Sequence, residues 1–198
     1  MKYLFLFLSL LIFLCACASD VSTHKALQPP LAPDLTVLYQ KTQQNPILSA
    51  TEIQDQQRII DHQVKKAQSW LEDDSYQRRL AGARQLSAYP TSEAELALNL
   101  ALQDQHSEVR AAAALSLSYF KTLNKITLNR LIGSLEDSSL TVQQNALHTL
   151  SHYLSAHASN QPDLQFILRS LQERSHSTLL KEPTRQALLS LLTDLRMD

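Results

Sequence analysis

Three stretches of this chain align on one another at a spacing of 31 to 33 residues, and that repetition limits the fold more than any other feature. "LEDDSYQRRLAGARQLSAY" begins at Leu71, "LQDQHSEVRAAAALSLSYF" at Leu102 and "LEDSSLTVQQNALHTLSHY" at Leu135. Asp73, Asp104 and Asp137 fall on one column, as do Leu86, Leu117 and Leu150, and then Tyr89, Phe120 and Tyr153. Each copy opens with Leu-x-Asp and continues into a helix whose early turns carry small residues. A weaker fourth copy ends in "PTRQALLSLL", with Pro183, Ala187, Leu188 and Leu191 on the pattern. Periods of this length belong to arrays in which each unit buries its apolar face only against its neighbours. The expectation is an all-α chain, an α-solenoid of about four helix pairs.

Helix start signals fill in the other half of each unit. Thr51 with Gln54, and Ser92 with Glu95, have the spacing of a capping box, and Asp163 is placed to cap a later helix. The sequence predicts a helix near 51–72, then helices at about 76–89, 92–103, 107–120, 125–135, 140–155, 163–173 and 183–196. Trp70, at the end of the first, is expected to wedge over the first repeat.

This arrangement resembles HEAT repeats of the short variety found in phycobilin lyases, over about residues 51 to 196. The resemblance implies a right-handed solenoid. It also implies a ladder between neighbouring repeats, built from the turn Asp and the helix Arg six residues later. Asp73 with Arg79 and Asp104 with Arg110 match that ladder, whereas Asp137 faces Gln143, which makes the third rung neutral. The alanine run 111–114 then needs no site to explain it, because small side chains let stacked helices approach closely.

The N-terminus carries an address. "MKYLFLFLSLLIFLCACASD" has one basic residue, Lys2, before an uncharged apolar run to Leu14, too short to span a bilayer comfortably. Leu14, Cys15, Ala16 and Cys17 resemble the processing motif of bacterial lipoproteins. That resemblance makes residues 1–16 a signal peptide and Cys17 the acylated first residue of the mature chain. Cys15 as acceptor would put the bulky Leu14 at the cleaved bond. Several acyl chains hold a protein on a membrane firmly where one does not. By the same resemblance Ala18, in place of Asp, favours export to the outer membrane with the folded part in the periplasm, while Ser19 and Asp20 leave the choice between inner and outer membrane open. Residues 17–50 follow as a tether, interrupted by Pro29, Pro30, Pro33 and Pro46, with a coil span of about 30 Å.

Composition removes several function classes. Without residues 1–16, 17 basic side chains face 19 acidic ones, too little positive charge to track a row of phosphates, so nucleic acid is not an expected partner. Gly82 and Gly133 are the only glycines, which leaves no material for phosphate-cradling loops. Cys15 would be removed with the signal peptide and Cys17 acylated, so the mature chain is expected to have no free thiol for redox work. The wider HEAT group includes dinuclear iron hydroxylases that rely on His-Glu dipeptides, and none occurs among the seven histidines. No catalytic residue, metal or cofactor is assigned.

What remains is a surface. On the helix near 140–155, a count of 100° per residue buries Val142, Ala146, Leu150, Tyr153 and Leu154, and turns His148 and His152 away. His148 and His152, four apart on one side, have the spacing of a zinc pair, with His157 as a conceivable third ligand. Nothing else completes such a site, and solvent-facing polar residues are the simpler reading. Followed through the repeats, His148 corresponds to Leu115 and Arg84, and His152 to Tyr119. The HEAT resemblance puts these second helices on the concave face. Arg84, Leu115, Tyr119, His148 and His152 would then suit a peptide or helix better than a small substrate. Burial of these columns by neighbouring helices or by the tether is the opposing expectation. The expected role is a lipid-anchored scaffold or adaptor for an envelope protein. The alternative is an enzyme or lyase-like chaperone that uses the groove as a ligand pocket.

Overall fold

The computed structural model describes residues 49–157 and 161–195. The signal region, Cys17 and nearly all of the expected tether lie outside them. Eight α-helices and no strand occur among the described residues: α1 (Ala50–Leu71), α2 (Tyr76–Leu86), α3 (Ser92–Ala101), α4 (Ser107–Ser116), α5 (Lys125–Ser134), α6 (Leu140–Ala156), α7 (Gln161–Ser175) and α8 (Glu182–Asp194). A single 3-10 turn, Leu117–Tyr119, extends α4. The chain is all-α.

Consecutive helices pack as pairs, α1 on α2, α3 on α4, α5 on α6 and α7 on α8. The odd-numbered helices also touch one another in series, and so do the even-numbered ones. The sequence period reappears in the core. Leu86, Leu117 and Leu150 are fully buried, and Tyr89, Phe120 and Tyr153 are buried beside them. On α6 the five residues expected to face inward are all buried.

The helix starts differ from the sequence expectation by one or two residues. Ser49, not Thr51, caps α1, and the capping box closes with Glu52. Thr91, not Ser92, caps α3 by accepting the Ala94 N–H. Glu95 is thereby released to accept the Asn124 N–H at 2.8 Å, at the start of α5. The Asn124 side chain caps α5 in turn. Asp163 lies inside α7 instead of before it. At α1 the Ser49–Glu52 pair satisfies the same spacing rule as Thr51–Gln54, two residues earlier. Trp70 is half-buried with the Lys66 ammonium 5.4 Å from its ring centroid.

The alanine run sits where crowding is greatest, since α4 touches α2, α3 and α6. Ala111 to Ala114 are all buried. Short polar side chains confirm how close the backbones come. Ser116 Oγ donates to the Ala83 carbonyl on α2 at 2.9 Å, and Thr149 Oγ1 donates to the Ala114 carbonyl on α4 at 2.7 Å. Ser116 and Thr149 are one repeat apart, so the contact recurs with the sequence. Gly82 marks the α1–α2 crossing: a Cβ there would stand 2.7 Å from the Ala67 carbonyl oxygen and 3.1 Å from Trp70 Cβ.

The turns are tied by side chains. Arg79 donates through Nη1 to the carbonyls of Asp73 and Asp74, both at 2.9 Å, in its own turn. Its Nε and Nη2 form a fork on the next turn's Asp104 at 2.6 and 3.0 Å. Arg110 repeats this, with Asp104 O at 2.8 Å behind it and Asp137 at 2.7 and 2.8 Å ahead. Each acid also accepts the N–H two residues on, from Ser75, His106 and Ser139.

The rungs are therefore distributed differently from the sequence expectation. Asp137 belongs to a charged rung with Arg110, not to a neutral one with Gln143. Gln143 donates to the carbonyls of Asp137 and Leu179 and accepts from the Lys181 N–H at 3.0 Å. The last turn, 176–181, has no Asp. It offers a backbone carbonyl and N–H, which one amide side chain satisfies and a guanidinium, a pure donor, does not. The carboxylate of Asp73, in the first turn, takes only the Ser75 N–H and a 3.6 Å approach from exposed Arg78.

Burial pushes the Asp104 carboxyl up, but the hydrogen bond from Arg79, the His106 N–H and the Arg79 charge outweigh it and hold the group below the usual range. Asp137 is held down in the same way by Arg110, the Ser139 N–H and the nearby Lys181. A depressed folded-state value means stabilisation that is present above about pH 4. It is lost as pH falls through the lower folded value.

Two predictions follow from this packing. Gly82→Ala lowers stability by about 1–3 kcal/mol because backbone has to move. Gly133→Ala, in open space within α5, raises it by about 0.4–1 kcal/mol; chemical denaturation of both variants checks the contrast. The double variant Asp104→Asn, Asp137→Asn melts on the order of 5 °C below wild type at pH 7. That gap narrows as pH falls below the usual carboxylate range and the wild-type carboxyls protonate, and thermal melts across pH that keep a constant gap would refute the ladder's contribution.

Candidate functional site

Helices α2, α4 and α6 touch in series, and each presents one edge outward. Arg84 on α2, Leu115 on α4, Tyr119 on the 3-10 turn, and His148 and His152 on α6 are all exposed. The pattern continues on α8 with Leu189 and Thr193. Leu115 is 40% exposed and Tyr119 66%, high values for an aliphatic and an aromatic side chain in a stacked array. Neighbouring described helices do not cover these columns. Among the described residues, Arg84, Tyr119, His148 and His152 have no side-chain hydrogen bond or ion pair.

Tyr119 departs from the helical register that aligned it with His152. The α-helical pattern of α4 ends at Ser116, and the tighter 3-10 turn that follows lets Leu117 and Phe120 both point into the core. Ser118 Oγ fastens this turn by donating to the Leu115 carbonyl at 2.7 Å. Tyr119 is left on the outside, rotated away from a position one α-turn above Leu115.

His157 does not join the other two histidines. Its Nδ1 lies 2.9 Å from the Tyr153 carbonyl, and its ring stacks on Tyr153 with centroids 4.2 Å apart. These contacts finish the C-terminal end of α6. Among the described residues, no three His, Cys, Asp or Glu side chains converge in a way that could hold a metal. His148 and His152 remain a polar pair on an open face.

Two features escaped the sequence reading. Arg185 occupies the fourth position of α8, as Arg79, Arg110 and Gln143 do in theirs. It donates through Nη1 to the Ser175 carbonyl and through Nη2 to those of Ser177 and Leu180. The longer insertion before α8 hid this equivalence. The second feature is a shallow groove of about 380 Å³ between the end of α1 and α3, on the odd-numbered row. Leu71, Leu96, Ala97, Leu100 and Ala101 form its apolar part, and Gln68, Glu72 and Asp104 its polar edge. The signal was available in "SEAELALNLA", where apolar residues occupy more of the helix circumference than one buried face needs.

Compared with protein-family models and with characterised proteins, the chain matches none. No helix among the described residues is long and apolar enough to cross a membrane. Surface chemistry is therefore the basis for assigning a role.

Exposure predicts that the column has little part in stability. Leu115→Ser and Tyr119→Ser each change the unfolding free energy by no more than about 0.5 kcal/mol, whereas Leu117→Ala, between them in sequence but buried, costs about 2–5 kcal/mol. Denaturant titration of the three variants measures this.

Proposed function

We propose that this protein is a lipid-anchored adaptor that holds a peptide or helix of an envelope protein along its even-numbered helices. The observation that carries the reading is the exposed column of Leu115 and Tyr119, flanked by Arg84, His148 and His152, on helices that pack in series. Apolar and aromatic anchors beside hydrogen-bonding groups are the composition of a recognition surface. Their spread over several repeats favours an extended partner over a small substrate.

In this proposal the helix pairs form a right-handed solenoid of HEAT-like repeats, with the column on its concave side. Series packing of the odd and even helices and the recurrence of the Arg–Asp rungs support that arrangement. The N-terminal motif around Cys17 supports anchoring by acyl chains, with the domain held in the periplasm at the outer membrane. The fold needs no cofactor and the role needs no catalytic group. Arg84 and the two histidines favour a partner segment that carries acidic or carbonyl-rich positions among apolar ones.

Photocrosslinking in intact cells tests the reading, with a photoreactive residue in place of Leu115 or Tyr119 and the native N-terminus retained. One dominant envelope protein is expected, and it should disappear when the probe is moved to exposed Asn129 on the odd-numbered row. Adducts restricted to small molecules, or none at all, would overturn the adaptor assignment in favour of a ligand-binding role or a covered face.

A further inference from the structure

Helix α1 is 22 residues long, while its neighbours α2 and α3 have 11 and 10. At 1.5 Å per residue it spans about 33 Å, roughly twice either neighbour. Ile53, Ile60, Val64, Ala67 and Leu71 share one side of it at helical spacing. Val64 and Ala67 on this stripe are buried and Ile60 is half-buried, but Ile53 is 55% exposed, as is adjacent Ile59. A core-type stripe thus runs beyond the described elements that cover it.

The exposed end is also firmly started. Ser49 Oγ accepts the Glu52 N–H at 3.3 Å, and Glu52 Oε2 accepts the Ser49 N–H at 2.9 Å. Such a box sets the angle at which the chain enters the helix. It also places the residue before the cap to pack on the fourth helical residue. Here those residues are Leu48 and Ile53.

We propose that the chain's own upstream segment covers this surface. Residues 35–40, Leu-Thr-Val-Leu-Tyr-Gln, fold back along the first turns of α1, and Leu48 closes on Ile53. Reach permits it. Gln40 precedes Ser49 by nine residues, about 30 Å when extended, while the uncovered part of α1 from Ala50 to Ile59 is only about 15 Å long. Asn45-Pro46 supplies a turn signal between the two. Six extended residues cover about 20 Å, which matches the uncovered length.

Area decides against a second copy as the occupant. A stable dimer needs about 800 Å² per partner, which three isoleucines on an isolated helix end do not supply. A segment joined through eight residues is present at an effective concentration on the order of millimolar, and so needs far less surface.

The test places a diazirine-bearing amino acid at position 59 of the full-length protein, followed by illumination, digestion and mass spectrometry. The expected adduct joins position 59 to a peptide within residues 32–48 of the same chain. It should be lost in the Leu35→Ser, Val37→Ser, Leu38→Ser variant, whose changes lie outside every described helix. Circular dichroism confirms that both proteins stay helical. An adduct to a second copy, recognised by mixing isotopically light and heavy chains, overturns the proposal. So does an adduct to another protein, an adduct that survives the triple substitution, or no adduct at all. Partner capture at positions 115 and 119 is read independently, so the two assignments fail separately.

Discussion

A guanidinium has one fork more than a single partner needs, and the described array depends on that surplus. Arg79 and Arg110 each use one Nη to close their own turn against its carbonyls, and the remaining Nε and Nη to grip the acid of the next turn. Local turn geometry and spacing between repeats are thereby set by the same side chain. The side chains of both pairs are at most 14% exposed, so water competes weakly for them. Breaking such a pair from one side leaves a poorly solvated charge, which costs more than the intact pair contributes. Lysine, with a single point of charge, cannot bind both turns at fixed angles.

Small residues act on the same scale from inside. The leucine and aromatic columns supply apolar burial, yet their contact depends on backbones approaching closely enough for Ser116 and Thr149 to reach carbonyls on the preceding even-numbered helix. Those hydroxyls are buried and would be costly if unpaired. They favour one axial position of each helix against the next, as the ladder does along the turns. A larger residue within Ala111–Ala114 would disturb both sets of contacts.

The helix positions and the buried columns were legible because they depend on periodicity, which sequence displays directly. Leu86, Leu117 and Leu150 align from the residue spacing alone. The caps were less legible. Ser49 competes with Thr51, and Thr91 with Ser92, and the choice depends on where the helix must begin in order to pack. The ladder was half visible: its residues could be named from spacing, but the handing of each Arg fork to the next turn is a three-dimensional relation. Hence Asp137 was assigned to the wrong rung, and Arg185 was hidden behind an insertion. Tyr119 was found on the outside for a different reason from the one the helical count gave. The α1–α3 groove depends on the second apolar face of α3, which the periodicity of the even-numbered columns does not display.

The ends of the ladder show how a repeating contact can stop without leaving a charge stranded. At the first turn, Asp73 is exposed enough for water and Arg78 to serve it, so no preceding Arg is required. Toward the other end the chemistry changes in step on both sides of the contact: the turn before α8 lacks an acid, and the residue that faces it is Gln143. Arg185 beyond it spends its fork on its own turn. This gradation from charged to neutral to self-contained frees the outer edges of the even-numbered helices from any part in holding the stack. Side chains on that edge can therefore vary while the ladder and the buried columns keep the frame.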